Sequence, residues 1–150
     1  MLTPKKTTWI VVANAQRCRV FEERRRGAEL HELPAWARER SDFPPTRAHH
    51  EKAVQGQRFG YGQAVVNERD FAQEAERAFL ARCAADLDLA AGKRSYEALI
   101  LVAAPRSLGV LRDELGRNAR ELVERSEVCD CVEDGAERMR ERVRAMRAPA

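Results

Sequence analysis

Tyr96-Glu97-Ala98-Leu99-Ile100-Leu101-Val102-Ala103-Ala104-Pro105 is the stretch whose reading decides the fold. Its centre, Leu99 to Val102, is a short apolar run with no polar alternation, which suits a strand covered on both faces. Pro105 ends it. Helical patterns flank it on both sides. Upstream, Phe71, Ala75, Phe79, Cys83, Leu87 and Ala90 recur at steps of four and three, which puts one apolar stripe along a helix from about Asn67 to Ala91. Asn67 suits its N-cap, with Glu68 in the first turn and Asp70 three residues on, and Gly92 suits its stop. At 1.5 Å per residue such a helix is roughly 37 Å long and crosses a whole domain. Downstream, Ser107 reads as the cap of a short helix carrying Leu108, Leu111 and Leu115.

Further out the pattern continues. Residues 119–128 hold Leu122, Val123 and Val128, fit neither period well, and read as a strand. Asp134 with Glu137 resembles a capping box. Ala136, Met139, Val143 and Met146 then mark a last helix, whose outer face carries Arg138, Arg140, Arg142, Arg144 and Arg147. An exposed apolar stripe on that helix would support a homodimer. Toward the start, Thr8 to Ala13 reads as a buried strand, Asn14-Ala15-Gln16 as a turn, and Arg17 to Glu22 as a strand with one wet face. Arg24-Arg25-Arg26-Gly27 turns the chain, and Glu29 to Pro34 reads as a third strand, although Leu30 and Leu33 break the alternation. The order is β-β-β, long loop, α, β, α, β, α. Alternating strands and helices require crossovers and a parallel pairing, while the opening hairpin is antiparallel. The expected fold class is α/β: a single-domain mixed β-sheet with flanking helices.

Length and composition agree. The chain has 150 residues, 44% hydrophobic and 34% charged, which is one domain's worth of core and too apolar for wholesale disorder. Lys+Arg is 27 against 24 for Asp+Glu, a net charge of +3, which excludes a histone-like polycation. Lysine occurs only at Lys5, Lys6, Lys52 and Lys93, so arginine supplies the rest, and arginine forks onto phosphate and carboxylate as lysine cannot. The first apolar run, Trp9 to Ala13, is far short of the ~18–20 residues of a membrane span and of a signal peptide's apolar core. Cys18, Cys83, Cys129 and Cys131 therefore read as free thiols in a cytoplasmic protein with no membrane partner.

Few familiar chemistries fit. Cys129-x-Cys131 lacks the spacing and the second pair of a zinc knuckle, and His49-His50-Glu51 are too close together to converge on one ion, so no metal and no cofactor is expected. A Cys18–His31 pair is the nearest approach to a nucleophile, although Cys18 alternates with Val20 as a core residue does. No phosphate-binding glycine loop opens a helix after a strand. The oddity is the long loop at about 35–64, with Pro44-Pro45, Gly56, Gly60 and Gly62 and no clean period; long irregular loops in compact domains are functional or disordered. In it Arg38, Arg40, Arg47, Lys52 and Arg58 outnumber Glu39, Asp42 and Glu51, and Phe59 and Tyr61 sit beside Arg58. Basic groups interleaved with aromatics suit phosphate contact plus base stacking.

Three segments together resemble a known family. Trp9 to Ala15 with Arg17 to Phe21, Glu68 to Leu87, and Ala103-Ala104-Pro105-Arg106-Ser107-Leu108-Gly109-Val110-Leu111-Arg112 are similar to the host attachment protein family, bacterial relatives of the middle domain of archaeal and eukaryotic peptide-chain release factors. The resemblance covers nearly the whole of residues 1–150 and implies one release-factor middle-domain-like unit. In the release factors a Gly-Gly-Gln loop precedes the long helix and helps water hydrolyse peptidyl-tRNA. Here Gln55-Gly56-Gln57 precedes it, so Gly56-Gln57 matches the last two letters. The resemblance thus implies ribosomal RNA or tRNA as partner and Gln57 as the residue of any peptidyl-tRNA ester hydrolysis. A glycine lets the backbone approach crowded RNA, and a following glutamine can orient water and stabilise developing charge. Arg38, Arg40, Arg47, Lys52, Gly56, Gln57, Arg58, Phe59 and Tyr61 are the expected nucleic-acid contacts. Attachment to host cells, direct or indirect, is the second class the family name implies. A small-ligand site at the sheet's carboxyl edge, near Asn14 and Pro105–Ser107, is the third.

Overall fold

The computed structural model describes residues 6–43 and 68–149, with Glu68 and Arg69 described by backbone only. The apolar run at Ala98–Ala103 is strand β5, and Leu99 to Ala103 are wholly shut off from water. Its parallel neighbour is β1 (Thr8–Ala13), in register from Thr8 opposite Ala98 to Ala13 opposite Ala103. β2 (Arg17–Glu23) folds back antiparallel on β1, with Ala13 opposite Cys18 and Thr8 opposite Glu23. β3 (Leu30–Glu32) and the two-residue β4 (Arg38–Glu39) pair successively with β2. Among the described residues the sheet thus has six strands in the order β3-β2-β1-β5-β6, with β4 also on β2. β6 (Val123–Val128) runs parallel to β5, with an irregularity between Leu99 and Ile100. This is the mixed α/β architecture expected from the pattern.

The helices form two covering layers. Helix α1 (Glu68–Gly92) lays Phe79, Leu80, Cys83, Ala84 and Leu87 on one sheet face, over Trp9, Val11, Leu99 and Leu101, joined by α2 (Pro105–Glu114) and α3 (Arg117–Glu121). Helix α4 (Ala136–Arg147) covers the other face, where Met139 and Val143 meet Ile10, Val12, Ile100 and Val102. Ala136 and Met146 pack against the same core. The apolar stripe of α4 is therefore buried within the chain, and the basis for expecting an exposed dimer surface there is gone. Met139 and Val143 face a sheet already shut on its other side.

Several local expectations are corrected. Helix α2 starts at Pro105, after Ala104, and Ser107 caps nothing: it is buried, and its hydroxyl lies 3.3 Å from Glu76 Oε1. Proline at the first helical position needs no N–H partner and has its φ preset, so the cap moves three residues earlier, from Ser107 to Ala104. Asp134 does not close a capping box. Gly135 is the N-cap of α4, and Asp134 accepts a 3.4 Å bond from Arg142 Nη2. Residues 119–128 split between the end of α3 and β6. Gly116, the N-cap of α3, offers no side chain; Asp88 of α1 accepts the Ala119 N–H at 2.9 Å instead. A Cβ on Gly116 would collide with that carboxylate. The stretch from residue 35 is not irregular throughout: Pro34–Trp36 and Arg40–Asp42 are 3-10 turns flanking β4. Residues 44–67 lie outside the described residues, and with them Asn67 as a cap.

The arginines of α4 do not all face out. Arg138 and Arg144 are exposed, whereas Arg147 turns inward and forks onto Glu23 with two 2.9 Å bonds. It also reaches Glu124 at 2.8 and 3.3 Å. Glu23 is 1% exposed, so Arg147 joins α4, β2 and β6 through a nearly dry ion pair. Removing one member of such a group leaves a buried charge alone and costs about 3–5 kcal/mol. Arg147→Met is expected to lower the unfolding free energy by that amount in urea titrations. Asp88→Ala, which removes only a helix cap, is expected to cost about 1 kcal/mol. Equal effects from the two substitutions would contradict this ordering.

Candidate nucleic-acid interface

The carboxyl ends of β1 and β5, the start of β2, β4 and the first turn of α2 lie on one edge of the sheet. The polar groups here are ordered by the chain itself. Asn14 Oδ1 accepts the N–H groups of Gln16 and Arg17 at 2.8 and 2.9 Å, and Asn14 Nδ2 donates to Asp130 at 3.2 Å. Arg17 pairs with Glu133 at 2.9 Å and approaches Glu39 at 3.6 Å. Asn14 and Ser107, the residues expected around a small ligand, are thus each engaged within the protein. The Arg40 N–H donates to the Gln16 carbonyl at 2.8 Å, which ties the segment after β4 to this edge.

Arg38 is half buried and largely internal. Its Nη1 donates to the carbonyls of Ala35 and Ala37, its Nη2 lies 3.8 Å from Asp86 of α1, and its guanidinium sits over the Trp36 ring. Arg40 is partly exposed in the second 3-10 turn. Phe43, the last described residue before α1, packs against Phe79, and the exposed Arg82 lies 5.1 Å over its ring. Arg106 is exposed in the first turn of α2, and Arg77 is tied to Glu114 and Asp113. Pattern reading missed Phe43, Arg82 and Arg106, because a helical stripe search keeps apolar positions and passes over the arginines between them. Their one signal is the spacing of Arg82 to Phe79, three residues on the same side of the helix.

Of the expected contacts, Arg47, Lys52, Gly56, Gln57, Arg58, Phe59 and Tyr61 lie outside the described residues, as do His49, His50 and Glu51. What the described chain fixes is where this stretch departs and returns. Phe43 is held at Phe79, eleven residues and roughly 16 Å of helix beyond Glu68. In the first turns of α1, from Asp70 to Ala78, side chains are exposed or half buried, and the fully buried stripe begins only at Phe79.

The thiols do not form a nucleophilic site. Cys18 is buried; its interaction with Cys83 and then its burial push its pKa well above the usual thiol value. His31, exposed on β3, stands opposite Glu22 and not beside Cys18. The expected Cys18–His31 pair fails because Cys18 faces α1 while His31 lies at the far end of β2. Burial likewise pushes Cys131 up to about 12.

The fold is a mixed sheet of this order with a long helix crossing one face. The crystal structure of archaeal translation termination factor aRF1 matches 93% of the chain with a TM-score of 0.51 at 12% sequence identity, a likeness of fold. The chain corresponds to 39% of that structure's length. Residues 7–143 match the model of bacterial archaeo-eukaryotic release factor family 12, and the chain belongs to that family. No curated protein matches it. The release-factor part of the resemblance is thereby shown; these matches carry nothing of host attachment. Among the described residues no helix is long and apolar enough to cross a membrane.

Thiol reactivity follows from the burial. Iodoacetamide at about pH 8 is expected to label the half-exposed Cys129 first and to leave Cys18 and Cys83 unlabelled until the chain is unfolded. Peptide mass spectrometry reads this directly, and early labelling of Cys18 would contradict the assigned burial.

Proposed function

We propose that this protein is a translation-associated factor that contacts ribosomal RNA or tRNA through the stretch between β4 and α1. What supports the reading most is placement: the Arg40 N–H is tied to Gln16 at the sheet edge, and Phe43, the last described residue before that stretch, lies against Phe79 with Arg82 over its ring. The stretch brings Arg47, Lys52 and Arg58 for phosphates, and Phe59 and Tyr61 for stacking. Membership in a release-factor family supplies the translational context. On this reading the protein works in the cytoplasm, with ribosomes.

Gly56-Gln57 is the place for any peptidyl-tRNA hydrolysis. The reaction there is attack of water on the ester carbonyl, with the peptide released as its carboxylate and the tRNA hydroxyl as leaving group. Gln57 would orient that water and donate N–H groups to the developing oxyanion.

Sucrose-gradient sedimentation tests the binding. The protein is expected to travel with ribosomal particles at low salt, and Arg47→Gln, Lys52→Gln and Arg58→Gln together are expected to release it. Each lost phosphate contact lowers the salt slope by about 0.7–0.9. Absence from every ribosomal fraction at low salt removes the reading. In a peptidyl-tRNA release assay, Gln57→Ala is expected to abolish whatever cleavage the parent protein supports; equal rates would remove Gln57 from the chemistry and leave the binding untouched.

A further inference from the structure

The other end of the sheet carries a second gathering of guanidinium groups. Here the turn Arg24-Arg25-Arg26-Gly27 joins β2 to β3. Gly27 has a φ of +83°, in the left-handed region that glycine adopts freely, and its N–H donates to Glu23 Oε2 at 3.1 Å. The last turns of α4 stand beside this turn. Between them is a cleft of about 270 Å³ whose polar lining is Glu23, Arg26, Gly27, Arg140, Arg144 and Arg147.

The charges in this cleft do not cancel. Its carboxylates, Glu23 and the adjoining Glu124, are both taken up by Arg147. Arg26 reaches Glu124 only at 3.8 Å, on an oxygen that Arg147 already holds. Arg140 gives Nη2 to the Gly27 carbonyl at 2.7 Å, while its Nε is buried with no hydrogen-bond partner among the described residues. Arg144 is exposed and has no carboxylate partner among the described residues. Three guanidinium groups from two different elements therefore converge on one hollow, with their donors incompletely used.

That arrangement selects a ligand chemistry. Guanidinium forks match the oxygens of a phosphate, and several forks converging from different directions suit its tetrahedral shape better than a planar carboxylate. The volume lies just under the roughly 300 Å³ at which pockets for drug-sized ligands begin, which suits one phosphate with its immediate substituent. We infer that the cleft between the 24–27 turn and the end of α4 is a binding site for a phosphate group, carried either by an RNA strand or by a free phosphate compound. It is separate from the carboxyl-edge surface, since Glu23 pairs with Thr8 at the opposite end of β1.

Two-dimensional NMR of the full chain tests the site, with inorganic pyrophosphate and an eight-nucleotide single-stranded RNA as separate probes. Saturable shifts of the Gly27 amide and the Arg140 Nε–H are expected with at least one of them. A response to pyrophosphate identifies a free-phosphate site, and a response to RNA alone identifies a strand-phosphate site. The double substitution Arg140→Gln with Arg144→Gln leaves the Arg147 ion pair in place and is expected to weaken binding about tenfold or more. No response at Gly27 to either probe, or equal affinity in a double variant of unchanged melting temperature, overturns the inference. Ribosome sedimentation through residues 47–58 can fail while Gly27 still responds, so the two readings fail separately.

Discussion

β1 and β5 lie parallel and side by side, and from Ile10 to Ala13 and Leu99 to Ala103 no side chain touches water. This pairing constrains everything else. Parallel neighbours cannot be joined by a tight turn, so the chain that leaves β1 at Ala13 must travel back to the end of the sheet where β1 began before it enters β5 at Ala98. β2, β3, β4 and α1 all occur within that excursion. Burial on both faces then demands two covering layers, and each fully buried aliphatic side chain contributes about 1.5–3 kcal/mol relative to exposure. The chain meets the demand with α1, α2 and α3 on one face and α4 on the other. The same pairing brings the carboxyl ends of two strands together and so creates the edge from which the candidate interface departs.

Arginine completes what the apolar contacts leave open. Arg19 forks onto Glu32 at 2.9 and 2.7 Å and, with its other nitrogen, donates to the carbonyls of Val132 and Asp134 before α4. That fork holds the Glu32 carboxyl below the usual range. Arg120 donates to the carbonyls of Arg112, Asp113 and Leu115 at the end of α2. Arg147 spans two carboxylates, and Arg38 braces a turn against α1. A guanidinium has five donors in a plane and can satisfy orphan carbonyls and a carboxylate at once, which an ammonium cannot do with the same geometry. The arginine-rich composition thus overstates the cationic surface. The informative arginines are those left over: Arg82 and Arg106 near one end, Arg26, Arg140 and Arg144 at the other.

The two ends of the sheet differ in how their charge is arranged. At the carboxyl edge Asn14, Arg17, Glu39, Asp130 and Glu133 are partnered among themselves, and cationic capacity lies on α1 and α2 around it. At the amino edge the carboxylates are drawn inward by Arg147, which leaves neighbouring guanidinium groups facing a hollow. A buried ion pair thereby does two things: it docks the end of α4, and it holds the Glu124 oxygen that Arg26 reaches only at 3.8 Å.

Patterns carried by single elements were legible in the residues alone. The unbroken run Leu99–Val102 identified a strand buried on both faces, the Phe79–Cys83–Leu87 spacing identified the long helix, and their alternation implied a mixed sheet. These are local consequences of side-chain periodicity, which acts within a few residues. Partnerships between elements were not legible. Nothing near Gly116 indicates that Asp88 caps α3, nothing near Arg147 points to Glu23 at the far end of β2, and Ser107 looks like a cap until Glu76 is placed above it. Hydrogen bonds and ion pairs depend on distances of about 3 Å. Only the docking of α1 and α4 on the sheet brings those groups, 31 to 124 residues apart, within reach.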